Sequence, residues 1–267
     1  MLTRMSEILV QRDIENGVAQ ISLDRPTRRN ALTRAMIGQL TQAVRESSSD
    51  PQVRLITLTA SGSVFCAGMD LAEMEQRASG KDGPEQWLED SMVYCDLLLA
   101  ILETPQPTMA LVQGPAVAGG VGIVLACDLV LAADDAFFSL PEAQRGITAS
   151  MVTPLLVFRS GAGHASHLLL SGQRVLTTTM SHWGLCHQVV PAIQLASAAQ
   201  EWISSILNAS PAALAATKQQ IRTCSQADLV EQLRQAAHHS AQSRGSADAR
   251  EGLQAFLEKR KPQWSTR

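Results

Sequence analysis

The twenty residues from 108 to 127 include no charged side chain, and this segment limits the folds that are open to the chain. Its length would be enough for one crossing of a membrane. However, Pro115 and four glycines interrupt it, and Asp128 follows at once without a basic flank. The segment therefore predicts a buried strand over Met109–Val112, a tight turn, and a buried helix over Gly119–Cys127.

Strands and helices are predicted to alternate through the first half of the chain. Val18–Leu23 alternates side chains between two faces, as a half-buried strand does. Apolar residues at helical spacing predict a helix over Ala31–Ser47, with Asn30 as its N-cap. The other predicted elements are a helix over Glu85–Leu102 and strands over Val53–Thr59, Asp128–Ala133 and Ala136–Leu140.

This order of elements predicts an α/β fold built from repeated strand–strand–helix units. Hydrophobic residues make up 45% of the chain, which is enough to bury a large core. From residue 192 onward the sequence becomes Ala- and Gln-rich and helical. We therefore expect a core over residues 1–191 and a helical region over 192–267 that packs on this core or on another subunit.

Charge and cysteine content narrow the classes of partner. The formal net charge is −3 and no basic stripe is present, so we expect no nucleic-acid partner. The five cysteines are odd in number and form no CxxC pair, which indicates reduced thiols in a cytoplasmic protein and no metal site. The densest basic run, residues 25–29, is a solvated loop or a phosphate contact, and composition favours the loop.

The turn Ala118–Gly119–Gly120 lies between a predicted strand and a predicted helix. Glycine lets a ligand approach the backbone closely, and the first N–H groups of a helix lack intrahelical acceptors. Such a turn suits an anion or a developing oxyanion. Many strand–helix turns need glycine only for packing, so the turn alone is a weak signal.

Two other segments are candidates for chemistry. The loop Phe65–Leu71 follows a strand, contains Gly68, and has Asp70 placed to cap the next segment. Glu142 follows a proline in an apolar stretch, where desolvation would raise its pKa and suit it to acid–base work. Taken alone, the first is an ordinary turn and the second a surface glutamate.

Five blocks together resemble the enoyl-CoA hydratase/isomerase (crotonase) superfamily. Their order and spacing are far more specific than any one of them, and they span nearly the whole chain. The blocks are RPTRRNAL (Arg25–Leu32), FCAGMDL (Phe65–Leu71), VQGPAVAGGVGI (Val112–Ile123), ACDLVLAADDAFFSLPEAQRGI (Ala126–Ile147) and EGLQAFLEKRKPQW (Glu251–Trp264).

The resemblance implies a spiral of ββα units followed by a helical trimerisation region, in a homotrimer or a dimer of trimers. It implies an acyl-CoA thioester as substrate and no further cofactor. By motif, the Met69 and Gly119 N–H groups would bind the thioester oxygen and stabilise an enolate, with Glu142 as the acid–base. Coenzyme A would lie along Arg28 and Arg29.

The same resemblance implies a larger set of substrate contacts. Phe256 and Lys259, of this chain or of a neighbouring subunit, would lie against coenzyme A, and apolar residues would form the acyl pocket. The implied contacts are Arg28, Arg29, Ala67, Gly68, Asp70, Leu71, Val117, Gly120, Gly122, Leu140, Phe256 and Lys259. Met69, Met74 and residues 147–154 complete the implied wall of the pocket.

Gly122 leaves the reaction open. Hydratases of this family use two glutamates, and Gly122 stands at the position of one of them, so only Glu142 remains. Three activities fit this pattern: hydration of a 2-enoyl-CoA, as in similar sequences of the branched glutaconyl-CoA type; Δ3–Δ2 isomerisation with one base; and decarboxylation. In another class, the chain would be a CoA-thioester- or RNA-binding relative with little catalysis.

Overall fold

The computed structural model describes residues 8–78, 84–224 and 228–266. Two sheets account for the strands in these residues. The strands are β1 (Val10–Glu15), β2 (Val18–Leu23), β3 (Leu55–Ala60), β4 (Thr108–Val112), β5 (Ala116–Val117), β6 (Leu129–Ala133), β7 (Phe137–Ser139), β8 (Val175–Leu176) and β9 (Gln188–Val190). The larger sheet has the order β1-β2-β3-β4-β6-β9, and the smaller has the order β5-β7-β8. All pairs in the larger sheet are parallel except β1 with β2.

Helices connect and cover these strands. They are α1 (Arg34–Ser49), α2 (Leu71–Ala78), α3 (Pro84–Glu103), α4 (Gly119–Ala126), α5 (Val152–Ser171), α6 (Thr177–His182), α7 (Leu195–Leu207), α8 (Pro211–Cys224), α9 (Leu229–Arg244) and α10 (Ala247–Leu257). Parallel strands need crossover connections, and helices such as α1 and α3 supply them. The predicted α/β class is confirmed.

The uncharged segment folds as its sequence predicts. It forms β4, then the short β5, then α4, in which all eight residues are buried. A helix that is apolar on every side is stable only when protein surrounds it. Here α4 lies against α3 and α5 and brings the turn at Ala118 to the surface of a cavity.

The predicted N-cap of the first helix is wrong. Helix α1 begins at Arg34, and the side chain of Thr33 accepts a hydrogen bond from the Met36 N–H. Asn30 is instead fully buried, and its amide donates to the carbonyl oxygens of Ser61 and Val64. It fixes the basic loop to the end of β3 and does not cap the helix.

The C-terminal helices contribute to the same cavity as the strands. Helix α9 packs against α3 and α5, and α10 packs against α2 and the turn at residues 143–145. Both helices therefore bring side chains, among them Arg244 and Phe256, to the cavity wall. In the described part of the chain, every helix is too short or too polar to cross a membrane.

Candidate active site

The loop at residues 65–71 and the turn at 116–120 lie side by side. The Val117 N–H donates to the Cys66 carbonyl at 2.9 Å, and Cys66 forms a parallel bridge with Ala116. A Cβ on Gly68 would lie 2.7 Å from the Ala118 Cβ, and one on Gly120 would lie 2.7 Å from the Cys66 Cβ. These two glycines are required because the segments approach so closely.

The N–H groups of Met69 and Gly119 are left free by this arrangement. Leu32 donates to the Gly68 carbonyl at 2.8 Å and accepts from the Asp70 N–H at 2.9 Å, so the Met69 N–H points away from Leu32. Gly119 is the first residue of α4, where an N–H has no intrahelical acceptor. Both residues line the same cavity, and neither N–H has an acceptor among the described residues.

Ala118 holds an unusual backbone conformation between β5 and α4. Its φ of 53° and ψ of −123° lie in a region that L-amino acids rarely adopt. Its N–H donates to the Ser139 carbonyl at 2.9 Å, which fixes this conformation. The strained residue directly precedes Gly119 and therefore sets the direction in which the Gly119 N–H points.

Glu142 is buried in the wall of the cavity. It follows β7, is 7% exposed, and its Oε2 atom has no hydrogen-bond partner among the described residues. Burial raises the pKa of Glu142 to about 7, although its own N–H and the charges of Arg145 and Arg244 act in the opposite direction. A carboxyl with such a pKa can both accept and return a proton near neutral pH.

Tyr94 fills the space beside Gly122. A Cβ on Gly122 would lie 2.3 Å from the Tyr94 Oη atom and 3.3 Å from the Val152 Cγ2 atom. The Tyr94 hydroxyl donates to the Gly119 carbonyl at 2.5 Å, and the side chain is fully buried. Burial raises the pKa of Tyr94 well above its ordinary value, so the phenol stays protonated.

The cavity has a volume of about 730 Å³ and collects most of the predicted site residues. Five predicted residues lie outside its lining: Gly68, Gly120, Gly122, Leu140 and Lys259. Gly68 and Gly120 do so because they form the contact between the two loops. Leu140 is 1% exposed and packs in the core. The predicted residues in the lining are Arg28, Arg29, Ala67, Met69, Asp70, Leu71, Met74, Val117, Gly119, Glu142, Phe256 and residues 147–152.

Asp70 has a structural role as well as its place in the lining. Its Oδ1 atom accepts from the Ala72 and Glu73 N–H groups, which confirms the predicted cap of α2. Its Oδ2 atom lies 2.7 Å from Arg25 Nη1. Burial opposes ionisation of Asp70, but Arg25 and the helix N–H groups outweigh it and lower the pKa.

Tyr94, Arg145, Ser240 and Arg244 are among the cavity-lining residues that sequence analysis did not single out. Tyr94 is the single tyrosine of the chain and lies in a helix whose position was predicted, but nothing local marks it. Arg145 falls within a matched block, and its guanidinium lies 4.6 Å from the centre of the Phe256 ring. Ser240 and Arg244 lie in the region that sequence analysis assigned to packing.

No cluster of three or more His, Cys, Asp or Glu side chains that could hold a metal ion occurs within the described residues. The four buried cysteines and the exposed Cys224 are all free thiols. Burial raises the pKa of Cys66, which lies at the contact of the two loops, to about 12. Such a thiol stays protonated at neutral pH and is a poor nucleophile.

Comparison with known proteins identifies the family. The enoyl-CoA hydratase/isomerase family matches residues 13–267. The 2,3-dehydroadipyl-CoA hydratase of Escherichia coli K12 is 31% identical, with 98% of this chain and 100% of the relative covered. The 1,2-epoxyphenylacetyl-CoA isomerase of the same organism is 30% identical, with 94% of this chain and 96% of the relative covered.

Solved structures agree with this match. The crystal structure of an enoyl-CoA hydratase from Mycobacterium avium has a TM-score of 0.85 and 31% identity, and covers 97% of this chain and 99% of its own. An enoyl-CoA hydratase/isomerase from Xanthobacter autotrophicus Py2 also has a TM-score of 0.85, at 29% identity, over 94% of this chain and 96% of its own. The protein therefore has the crotonase fold and is an enzyme of the enoyl-CoA hydratase/isomerase family.

Proposed function

We propose that this enzyme is an enoyl-CoA hydratase that adds water to a 2-enoyl-CoA. The observation that carries the proposal is the buried Glu142, with a pKa of about 7 and a free Oε2 atom, in the same cavity as the free N–H groups of Met69 and Gly119. Hydration needs a base for water, a stabilised enolate and a proton for the α-carbon. These groups can supply all three.

In this mechanism, the N–H groups of Met69 and Gly119 donate to the thioester oxygen. The ionised Glu142 takes a proton from water as the oxygen adds to the β-carbon, and negative charge moves to the thioester oxygen. One such backbone donor is worth about 3 kcal/mol of barrier in other enzymes. Glu142 then returns the proton to the α-carbon, which gives syn addition.

Isomerisation of a 3-enoyl-CoA is the second candidate, and Gly122 favours it. Moving one proton between two carbons needs one base, whereas hydration in this family ordinarily employs a second carboxyl. The relatives include one named as a hydratase and one named as an isomerase, at nearly equal identity. Their names therefore do not choose between the two reactions.

An assay with matched substrates separates the two reactions. The purified enzyme is given 2-enoyl-CoA and 3-enoyl-CoA thioesters of equal length, and the absorbance of the conjugated enoyl thioester is followed. Hydration consumes this absorbance from the first substrate, whereas isomerisation produces it from the second. Turnover of 3-enoyl substrates alone would reject the hydratase proposal.

We also propose a branched or glutaconyl-type acyl chain, a homotrimer or a dimer of trimers, and a cytoplasmic location. Exposed apolar side chains support assembly: Leu170 is 82% exposed and Ile193 is 92% exposed. Light scattering coupled to gel filtration tests the oligomer. A monomer at micromolar concentration would contradict it.

A further inference from the structure

Arg244 is a cation without a counter-ion in the wall of the cavity. It is the last residue of α9 and lines the same cavity as Tyr94 and Glu142. Among the described residues, no acceptor hydrogen-bonds to its guanidinium and no carboxylate lies within 4.0 Å of it. A partly desolvated guanidinium without a partner is costly, and an anionic ligand would offset this cost.

The acidic side chain whose charge acts most strongly on Arg244 already forms ion pairs with other arginines. Asp90 is one helical turn before Tyr94, and its Oδ1 atom lies 2.8 Å from both Arg34 Nη1 and Arg77 Nη1. Glu142 is the other acidic group that acts on Arg244, and its carboxyl is held near half-ionisation at neutral pH. Neither carboxyl neutralises Arg244 fully.

Arg145 adds to the positive charge at this end of the cavity. It also lies beside Glu142, but its guanidinium is placed over the Phe256 ring at 4.6 Å. A cation over an aromatic face is partly satisfied. Arg244 has no such ring contact in the described structure, and it is therefore the cation that remains available to a ligand.

Ser240 places a hydroxyl next to Arg244. The two residues are four apart on α9, so they lie on the same face of the helix, and both line the cavity. Ser240 is 4% exposed, and its hydroxyl makes no hydrogen bond among the described residues. A guanidinium and a hydroxyl on one face match the two oxygens of a carboxylate.

We propose that Arg244, assisted by Ser240, binds a carboxylate at the far end of the acyl chain. The substrate class is then a CoA thioester of a dicarboxylic acid, and this inference rests on the proposed function for the thioester end. Met69, Met74 and Met151 line the same cavity and suit the methylene groups of such a chain.

Binding of saturated thioesters tests the carboxylate site without any turnover. Dissociation constants are measured by calorimetry for glutaryl-CoA against pentanoyl-CoA and for adipyl-CoA against hexanoyl-CoA. We expect the wild-type enzyme to bind one carboxylated member at least about tenfold more tightly than its uncharged partner. Equal affinities in both pairs would overturn the proposal.

Variants test whether Arg244 is responsible for the preference for carboxylated thioesters. Arg244→Gln is expected to abolish it while leaving the affinity for the uncharged thioester within about threefold, and Arg244→Lys is expected to keep part of it. Ser240→Ala should reduce it by less than Arg244→Gln does. Arg145→Gln is the matched control, and an equal loss of preference in this variant would contradict the assignment to Arg244.

Turnover of the matching 2-enoyl thioesters separates the two proposals. Arg244→Gln should raise KM for the carboxylated substrate more than for the uncharged one, whereas loss of its charge beside Glu142 should change kcat for both substrates alike. Tight binding of glutaryl-CoA through Arg244 without any hydration would reject the hydratase and retain the carboxylate site. Hydration without a preference for the carboxylated substrate would do the reverse.

Discussion

The hydroxyl of Tyr94 occupies the space into which a side chain on Gly122 would project. The two meet where α3 crosses α4, with 2.3 Å between the Tyr94 Oη atom and the position of a Cβ on Gly122. Tyr94 also donates to the Gly119 carbonyl, in the residue whose N–H we assign to the thioester oxygen. Where Gly122 stands in place of a glutamate, the Tyr94 side chain from a different helix therefore fills the space.

A double-mutant cycle tests this relationship. Gly122→Ala should destabilise the protein by about 1–3 kcal/mol, because the buried Tyr94 ring cannot move away. In the presence of Tyr94→Phe the cost should fall, since the nearest remaining atoms lie at 3.3 Å and 3.4 Å. Denaturant unfolding of the four proteins gives the coupling free energy, expected to exceed about 1 kcal/mol. Additive effects would show that the two residues do not compete for space.

Sequence analysis could locate the two loops and Glu142 but not Tyr94 or Arg244. The loops carry their own signals, since glycine is needed where the segments meet at Gly68 and Gly120. Tyr94 is an ordinary member of an apolar helix until α3 is packed against α4, which depends on residues more than twenty positions away. Arg244 is likewise indistinguishable from a surface cation until α9 packs on α3.

Local signals also explain the error at Asn30. Asn is a favoured N-cap, and Thr33, three residues later, is another. Thr33 caps the helix because the Asn30 amide donates instead to the carbonyl groups of Ser61 and Val64, which need a donor in the buried loop. Such a requirement comes from tertiary packing, so the sequence around residue 30 could not reveal it.

Ala118→Gly should stabilise the protein and preserve activity. The alanine holds a φ of 53°, a conformation that glycine adopts without the steric cost that a Cβ imposes. Relief of about 1–3 kcal/mol of strain should exceed the entropy that glycine adds to the unfolded chain, about 0.4–1 kcal/mol. The expected net gain is about 1 kcal/mol in denaturant unfolding. A loss of stability would mean that the Ala118 Cβ contributes more by packing than it costs in strain.

Arg28→Ala and Arg29→Ala should weaken the binding of coenzyme A thioesters selectively. Both side chains are exposed, line the cavity, and form no ion pair within the described residues. Their guanidinium groups are therefore available to bind phosphates. Each change should raise KM for acyl-CoA by about three- to tenfold and leave KM for the matching acyl-pantetheine unchanged. Arg45→Ala, on the exposed face of α1, is the matched control and should alter neither value. Equal effects on both substrates would place the phosphates elsewhere.

Glu142→Gln should abolish most activity and stabilise the folded protein above neutral pH. Turnover should fall by about 10²–10⁴-fold, because a glutamine amide cannot act as a general base or a general acid near neutral pH. Burial raises the pKa of Glu142 from 4.5 to about 7, so the native state binds more protons than the unfolded state between these values. The stability contributed by this residue therefore falls as pH rises from 4.5 to about 7 and stays low above it.

The sign of this pH dependence determines how the stabilities of the wild-type and Glu142→Gln proteins should differ. Relative to Glu142→Gln, the wild-type protein should lose about 2–3 kcal/mol between pH 4.5 and pH 8, since one pKa unit corresponds to about 1.4 kcal/mol. Denaturant unfolding of both proteins across this range isolates the contribution of residue 142, because every other titrating group is shared. Wild-type kcat/KM should fall as pH drops below about 7, where the base becomes protonated. A difference in stability that does not change with pH would show that folding does not raise the pKa of Glu142, and the proposed proton transfer would then lack its tuned carboxyl.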